Sequence, residues 1–209
     1  MGKYYEDTNY SDRAFKYKSK IVSDWIAKTK PKSVWDAGAN NGIFSRLASQ
    51  KKIFTVASDI DELAIEEAFN IQKKCKDKYL LPLIVNLTNP SPAIGWDNCE
   101  RPAFIKRSSF DLAMCLAFVH HLAIANNLPF SCIVELFAKA AKNLIIEFVP
   151  KEDSNAKRLL ASRKDIFVNY TKANFEKEFL KHFKIIKQIK IPESLRNLYL
   201  IKKRADNDR

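Results

Sequence analysis

The order of apolar and polar positions along the 209 residues spells an alternation of helices and strands. Ile21, Val22, Trp25 and Ile26 recur at helical spacing, which predicts a helix over 13–29 that Pro31 ends. The next apolar positions, Val34, Trp35 and Ala37, form a strand that runs through a tight glycine turn into a helix whose Phe44, Leu47 and Ala48 share a face. Residues 53–57 are an apolar run of strand length that Asp59 closes. Asp61 then stands as N-cap to a helix carrying Leu63, Ala64, Ala68 and Ile71, and 80–85 supplies a third strand. A loop rich in Pro and Asn follows over 86–96. A strand over 110–116 leads to an amphipathic helix built on Phe130, Ile133, Val134, Phe137, Ala138 and Ala141. The run 143–149 reads as a strand buried on both faces and stopped by Pro150. Two further helical stretches contain Ala156, Leu159 and Leu160, and, from near Thr171, Phe175, Phe179 and Leu180. The last two strands, 185–191 and 195–201, are joined directly through Pro192, Glu193 and Ser194, which predicts an antiparallel hairpin.

Strand–helix alternation with short turns implies right-handed parallel crossovers. The expected fold is therefore α/β, a three-layer, doubly wound, Rossmann-like sheet of seven strands, five parallel and two in the C-terminal hairpin. The length suits one domain, with 1–32 as an N-terminal segment and helix and 33–209 as the sheet domain. Ligands of such sheets sit outside the carboxyl ends of the strands. That rule selects Asp36, Asp59, Asn86, residues 117–121 and residues 147–151.

The turn after the first strand narrows the ligand. Gly38 and Gly42 remove side chains where a ligand approaches the backbone. A dinucleotide fingerprint would read G-x-G-x-x-G, yet the middle position here is Asn40, and Asp36 precedes the first glycine by two residues. A carboxylate in the cradle repels a pyrophosphate and suits a cationic amino end. Asp36-Ala37-Gly38-Ala39-Asn40-Asn41-Gly42 resembles the first motif of class I S-adenosylmethionine-dependent methyltransferases, in a variant with Asn in place of the middle glycine. The resemblance implies S-adenosyl-L-methionine as cofactor, S-adenosyl-L-homocysteine as its product, and Asp36, Gly38, Asn40 and Gly42 around the cofactor's amino-acid end. Asp59, ending the second strand, is placed to accept from both ribose hydroxyls, or else serves as a helix cap. Asn86 stands where many members carry an acid for the adenine amino group; a local Asx-turn is its other reading.

Residues 117–129 and 145–154, with the opening Tyr4-Tyr5-Glu6-Asp7-Thr8, are similar to the methyltransferases related to the nodulation protein NoeA. That resemblance implies a methyl acceptor without naming one. His120 and His121 follow the fourth strand, where an imidazole can take a proton from an arriving hydroxyl or amine, or merely pack. Glu147 is an acid inside the run Leu144-Ile145-Ile146-Glu147-Phe148-Val149, costly to bury unless it ends in a cavity or has a partner. It is read as pocket-lining and basic, or as half of a salt link. Tyr4, Tyr5 and Tyr10 are candidate lid residues, with a disordered or merely packed N-terminus as the favoured other reading. With His182 as the only other histidine, no metal site is expected.

Composition adds two things. The formal charge is +12, and +8 of it falls in residues 151–209, where 16 Lys and Arg face 8 Asp and Glu. A basic C-terminal face keeps an RNA methyltransferase as an alternative. The spacing of Lys172, Lys177, Lys181, Lys184, Lys187 and Lys190 also fits a solvated surface, and no Asn/Asp-Pro-Pro-aromatic clamp or Pro-Cys nucleophile follows the fourth strand. The favoured acceptor is a small or carbohydrate-like molecule offering O or N; a non-catalytic binding module is the other alternative. No apolar run approaches the ~20 residues of a membrane span, and no signal peptide opens the chain, so the expectation is cytoplasmic, with no membrane partner. Cys75, Cys99, Cys115 and Cys132 form no C-x-x-C pair; Cys115 and Cys132 are expected in the core. The acceptor and the oligomeric state stay open.

Overall fold

The computed structural model describes residues 10–107 and 109–205. Its first helix, α1 (Asp12–Thr29), begins where Ser11 accepts from the Ala14 amide and ends at Lys30 in a left-handed conformation. The chain then alternates: β1 (Ser33–Ala37), α2 (Arg46–Ser49), β2 (Phe54–Asp59), α3 (Glu62–Cys75), β3 (Leu80–Ile84), α4 (Phe104–Arg107), β4 (Phe110–Cys115), α5 (Phe130–Ala140), β5 (Ala141–Phe148), α6 (Ser154–Leu160), α7 (Lys172–Leu180), β6 (Phe183–Lys190) and β7 (Asn197–Lys203). Asp61 caps α3 through the Leu63 and Ala64 amides, and Thr171 caps α7.

The seven strands lie in the order β3-β2-β1-β4-β5-β7-β6. Pairs among the first five are parallel, while β5–β7 and β6–β7 are antiparallel, so the sheet is the class I methyltransferase arrangement. The chain leaves β1 toward β2 on one side and returns to it with β4 on the other. The crevice above β1 and β4 is therefore the topological switch point.

Alternation along the central strands divides the core. Val34, Leu112, Met114, Ile145 and Leu198 pack under Val22, Trp25 and Ile26 of α1. Trp35, Ala113, Cys115, Ile146 and Tyr199 pack under α5 and α7. Trp35 stacks on Phe110, with ring centroids 5.9 Å apart, and donates its indole N–H to Ser58 Oγ at 2.9 Å, so the largest core side chain leaves no polar atom unpaired.

Several local expectations change. The helix after the glycine turn is the single turn α2, cut short by Lys52 in a left-handed conformation (φ 62°). The loop expected over 86–96 carries more structure than its composition suggests: Ile94 bridges to Arg101 around a 3₁₀ turn over Trp96–Asn98, and α4 follows. A π-helical turn, His121–Ala125, follows β4. Cys115 is buried, but Cys132 lies off the apolar stripe of α5 and is exposed. Lys184, Lys187 and Lys190 lie along edge strand β6 and are exposed, where lysines discourage pairing with another sheet. Among the described residues no helix is long and apolar enough to cross a membrane.

Candidate functional site

A cavity of about 280 Å³ opens at the switch point. The β1–α2 turn forms its floor. Gly38 and Ala39 donate their amides to the Ser58 carbonyl at 2.9 and 3.0 Å, which bends the chain sharply back over β2. The two glycines serve different needs. At Gly38, with φ +75°, an added Cβ would lie 2.4 Å from Cγ of Phe118, so both conformation and space forbid a side chain. At Gly42, with φ +74°, the nearest atom would be 3.6 Å away, so only the backbone conformation demands glycine. Asn40 between them is left-handed as well (φ 49°), and its Oδ1 folds back to accept from the Asn41 amide at 2.8 Å.

Asp36 ends up behind this floor. It is 2% exposed, is not among the lining residues, and accepts from Ser45 Oγ at 2.6 Å. Burial pushes its carboxyl up to about 7, against the pull of the Ser45 hydrogen bond and with a further push from Asp59. Asp59 lines the cavity and ties the floor to β2: Oδ2 accepts from the Asn40 amide at 2.8 Å and Oδ1 from the Asp61 amide at 3.1 Å. Asn86 lines it too, with Oδ1 closing an Asx-turn onto the Thr88 amide and hydroxyl at 3.0 and 2.7 Å. The oxygen is thereby engaged locally.

The β4 end forms the opposite wall through Leu116, Ala117, Phe118, His121 and Leu122. Ala117 is left-handed (φ 51°), a conformation unusual for a side-chain-bearing residue, and it turns Phe118 across Gly38. The two histidines part company here. His121 lines the cavity; burial lowers its imidazole, which Asp59 partly offsets and Arg196 reinforces. His120 is fully buried, does not line the cavity, and has no hydrogen-bond partner at either ring nitrogen among the described residues. Burial and then the neighbouring His121 hold it well below the ordinary histidine value, so it is a neutral ring 4.3 Å from that of His121.

Glu147 does not line the cavity. Because β5 is covered on both faces, its carboxylate lies beneath the cavity wall and is satisfied there by three groups. Lys18 Nζ approaches Oε2 at 2.6 Å, Arg196 Nη1 stands 3.6 Å from Oε1, and the Tyr10 hydroxyl donates to Oε1. Burial alone would raise this carboxyl, but Lys18 and Arg196 hold it below its ordinary value. Arg196 also grips Asp153 with two parallel bonds, Nε–Oδ2 at 2.7 Å and Nη2–Oδ1 at 2.9 Å. The Tyr10 ring lies between the cations, 4.9 Å from Lys18 Nζ and 4.6 Å from Arg196 Cζ. Tyr10 is thus a pinned wall of the cavity, whereas Tyr4 and Tyr5 lie outside the described residues.

Lys18 and Arg196 escaped the sequence reading; Asp153 is buried in its ion pair with Arg196 and does not stand on a solvated loop. One signal for Lys18 was available: Ala14, Lys18, Val22 and Trp25 fall on the buried stripe of α1, so a charge interrupts its apolar face.

Gathered at the cavity are a carboxylate beside a backbone cradle, an imidazole on the facing wall, and cations at the α1 end. Among the described residues no three His, Cys, Asp or Glu side chains cluster as a metal ion would need. No protein-family model matches the chain. In sequence the chain is similar to the nodulation protein NoeA of Rhizobium meliloti (strain 1021), 38% identical over 183 residues. The match takes in 87% of the chain but 38% of NoeA, so the chain spans about two fifths of that relative's length. Among solved structures it resembles the N-methyltransferase NodS from Bradyrhizobium japonicum WM9, with a TM-score of 0.65 at 10% identity, over 93% of the chain and 99% of NodS. Magnesium protoporphyrin IX methyltransferase (ChlM) from Synechocystis PCC 6803, solved with bound SAH, gives 0.64 at 18% identity, over 91% of the chain and 84% of ChlM. The methyltransferase domain of bacterial-CtHen1-C gives 0.63 at 15% identity, over 90% and 97%. At these identities the likeness is one of fold.

Proposed function

We propose that this chain, a relative of NoeA with the class I methyltransferase fold, binds S-adenosylmethionine in the switch-point cavity and transfers its methyl group to an oxygen or nitrogen of a small or carbohydrate-like acceptor. The observation that carries the reading is the cradle at Gly38: a backbone held at φ +75° with no room for a Cβ, bonded through the Asn40 amide to the Asp59 carboxylate. That combination fits a ligand with a diol and an amino-acid end better than a pyrophosphate.

When bound, the cofactor supplies an electrophilic methyl group on a sulfonium. The protein's own part is placement. Asp59, oriented by two backbone amides, offers its carboxylate to vicinal hydroxyls. Asn86 lies on the same wall, and its amide nitrogen is the group left to face a base, since Oδ1 closes the Asx-turn. Asp36, under the floor, supplies a buried negative charge for a cationic amino group. Phe118, held by left-handed Ala117, fills the gap over Gly38 and keeps water from the turn.

On the facing wall His121 is kept neutral by burial and can receive the acceptor's proton at a ring nitrogen. His120 and Glu147 act from behind the wall. His120 packs against His121, and Glu147 fixes Tyr10, Lys18 and Arg196 at the α1 end. Most of the rate then comes from holding donor and acceptor in line.

The test is an acceptor panel, including amino sugars, phenols, carboxylic acids and short RNA, incubated with S-adenosylmethionine and read by mass spectrometry for gain of one methylene. Product with a small or carbohydrate-like acceptor, falling in His121→Ala, supports the reading. Product with RNA alone moves the acceptor to the nucleic-acid class. No product with any of them, from protein that does not bind the cofactor, favours a binding module.

A further inference from the structure

The crossover from β3 to β4 leaves part of the sheet uncovered. Its helix, α4, has four residues and rises about 6 Å, whereas the five residues of β3 extend about 17 Å. Phe104 of α4 packs on Trp35 of β1, with ring centroids 5.8 Å apart. Farther toward the sheet edge, the register places Phe54 and Val56 of β2, and Leu81 and Leu83 of β3, on the same face as Trp35. Trp35 is fully buried there, yet Phe54 is 47% exposed and Leu81 42%. A second cavity, of about 680 Å³, lies on this uncovered face. Phe54, Val56, Leu83 and Val85 line it along the two strands, and Phe104 and Phe110 line it toward β1. Val85 and Asn86 also line the switch-point cavity, so the two cavities share a wall.

The charge on this second cavity is of one sign. Arg101 and Arg107 line it, and among the described residues no Asp or Glu does. Both arginines are exposed, and neither guanidinium has a hydrogen-bond or ion-pair partner among the described residues. The acids closest to them in sequence turn elsewhere. Glu100 is folded against Gly95, and Asp111 accepts from the Lys32 amide and from Lys142 Nζ, both at 2.9 Å.

We propose that this cavity is a second ligand site, which takes a small amphipathic anion: an aromatic body laid on the apolar wall, with a carboxylate, sulfonate or phosphate held by Arg101 and Arg107. The volume falls within the about 300–1,000 Å³ of small-molecule sites. A guanidinium presents parallel N–H donors that match an oxyanion, and the phenylalanine rings offer edges and faces to an aromatic ligand. A neutral ligand would leave both cations unanswered. A hydrophilic anion would leave Phe54 in water.

The test is fluorescence titration with 1-anilinonaphthalene-8-sulfonate and with N-phenyl-1-naphthylamine, which has the same rings and lacks only the sulfonate. Both brighten on leaving water. The pair is measured on the wild type, on Arg101→Gln/Arg107→Gln and on Phe54→Ser, after a urea midpoint has been recorded for each protein. The double variant alters only exposed side chains with no partner to lose, so it should unfold at the wild-type midpoint and keeps the test if Phe54→Ser does not fold. No cofactor is present, so the outcome does not depend on the reading above.

The expected result is one saturable site in the wild type that prefers the sulfonate by about tenfold or more, a preference lost in the double variant. Phe54→Ser should weaken both probes severalfold. Absence of saturable sulfonate binding to the wild type, equal affinity for the two probes, or a preference that survives in the double variant would overturn the site, as would affinities that a folded Phe54→Ser leaves unchanged.

Discussion

Protonation of Asp36 should set the pH dependence of cofactor binding, in the opposite direction to its effect on stability. The carboxyl is buried and pushed up to about 7 from an unfolded value near 3.8. A raised carboxyl favours the folded state most at low pH, where the group is protonated in both states, and this contribution is lost as pH rises from about 4 through about 7. The shift amounts to about 4 kcal/mol across that window. Ligand binding runs the other way, because the amino end of S-adenosylhomocysteine is cationic and interacts with the ionised form. At pH 6 about one molecule in ten is ionised, so the affinity there should be about tenfold weaker than at pH 8. Calorimetric titration with S-adenosylhomocysteine between pH 5.5 and 8.5, beside thermal melts of the ligand-free protein, measures both slopes. Asp36→Asn should flatten both and weaken binding at pH 8. A wild-type affinity that does not change over this range, or one that changes as steeply in Asp36→Asn, would refute the assignment of Asp36 to the ligand's ammonium.

Gly38→Ala should abolish binding of S-adenosylhomocysteine, since its Cβ would enter the Phe118 ring, while Gly42→Ala, which meets only an unfavourable backbone conformation, should lower stability by about 1–2 kcal/mol in urea titration. Lys18→Met alone removes the nearest counter-ion of buried Glu147, leaving it only the Tyr10 hydroxyl and Arg196 at 3.6 Å, and should destabilise by about 3–5 kcal/mol, seen as an earlier denaturant midpoint; Lys18→Met/Glu147→Leu should recover most of that loss. Once an acceptor is found, His121→Ala should lower kcat by about 10²-fold or more without a matching rise in KM, and His120→Phe, which keeps a ring against His121, should cost far less.

The parts of this molecule that could be read from its sequence are those written locally. The strand–helix alternation, the Asp61 cap, the glycine turn and the hairpin each depend on residues within a few positions of one another, so spacing alone carries them. Asp59 and Asn86 could be placed because a parallel sheet brings every strand's carboxyl end to one edge. What could not be read was pairing at a distance. Lys18 and Glu147 are 129 residues apart, Asp153 and Arg196 are 43 apart, and nothing in either neighbourhood names its partner. Glu147 was therefore legible as an anomaly but not as the base of a cation cluster. Cys132 shows the limit of composition, since an apolar neighbourhood does not say which side of α5 a residue occupies. The left-handed Ala117 gave no signal at all, because alanine has no local preference for that conformation and the contact it serves, Phe118 over Gly38, joins residues far apart in the sequence.

The central claim is that the switch-point cavity binds S-adenosylmethionine through the Gly38 cradle and Asp59. Titration calorimetry of the purified protein with S-adenosylmethionine, beside Asp59→Ala verified as folded by circular dichroism, tests it most directly. Micromolar binding to the wild type that is lost in Asp59→Ala is the predicted result; absence of binding to the wild type, or equal binding to both proteins, would contradict it.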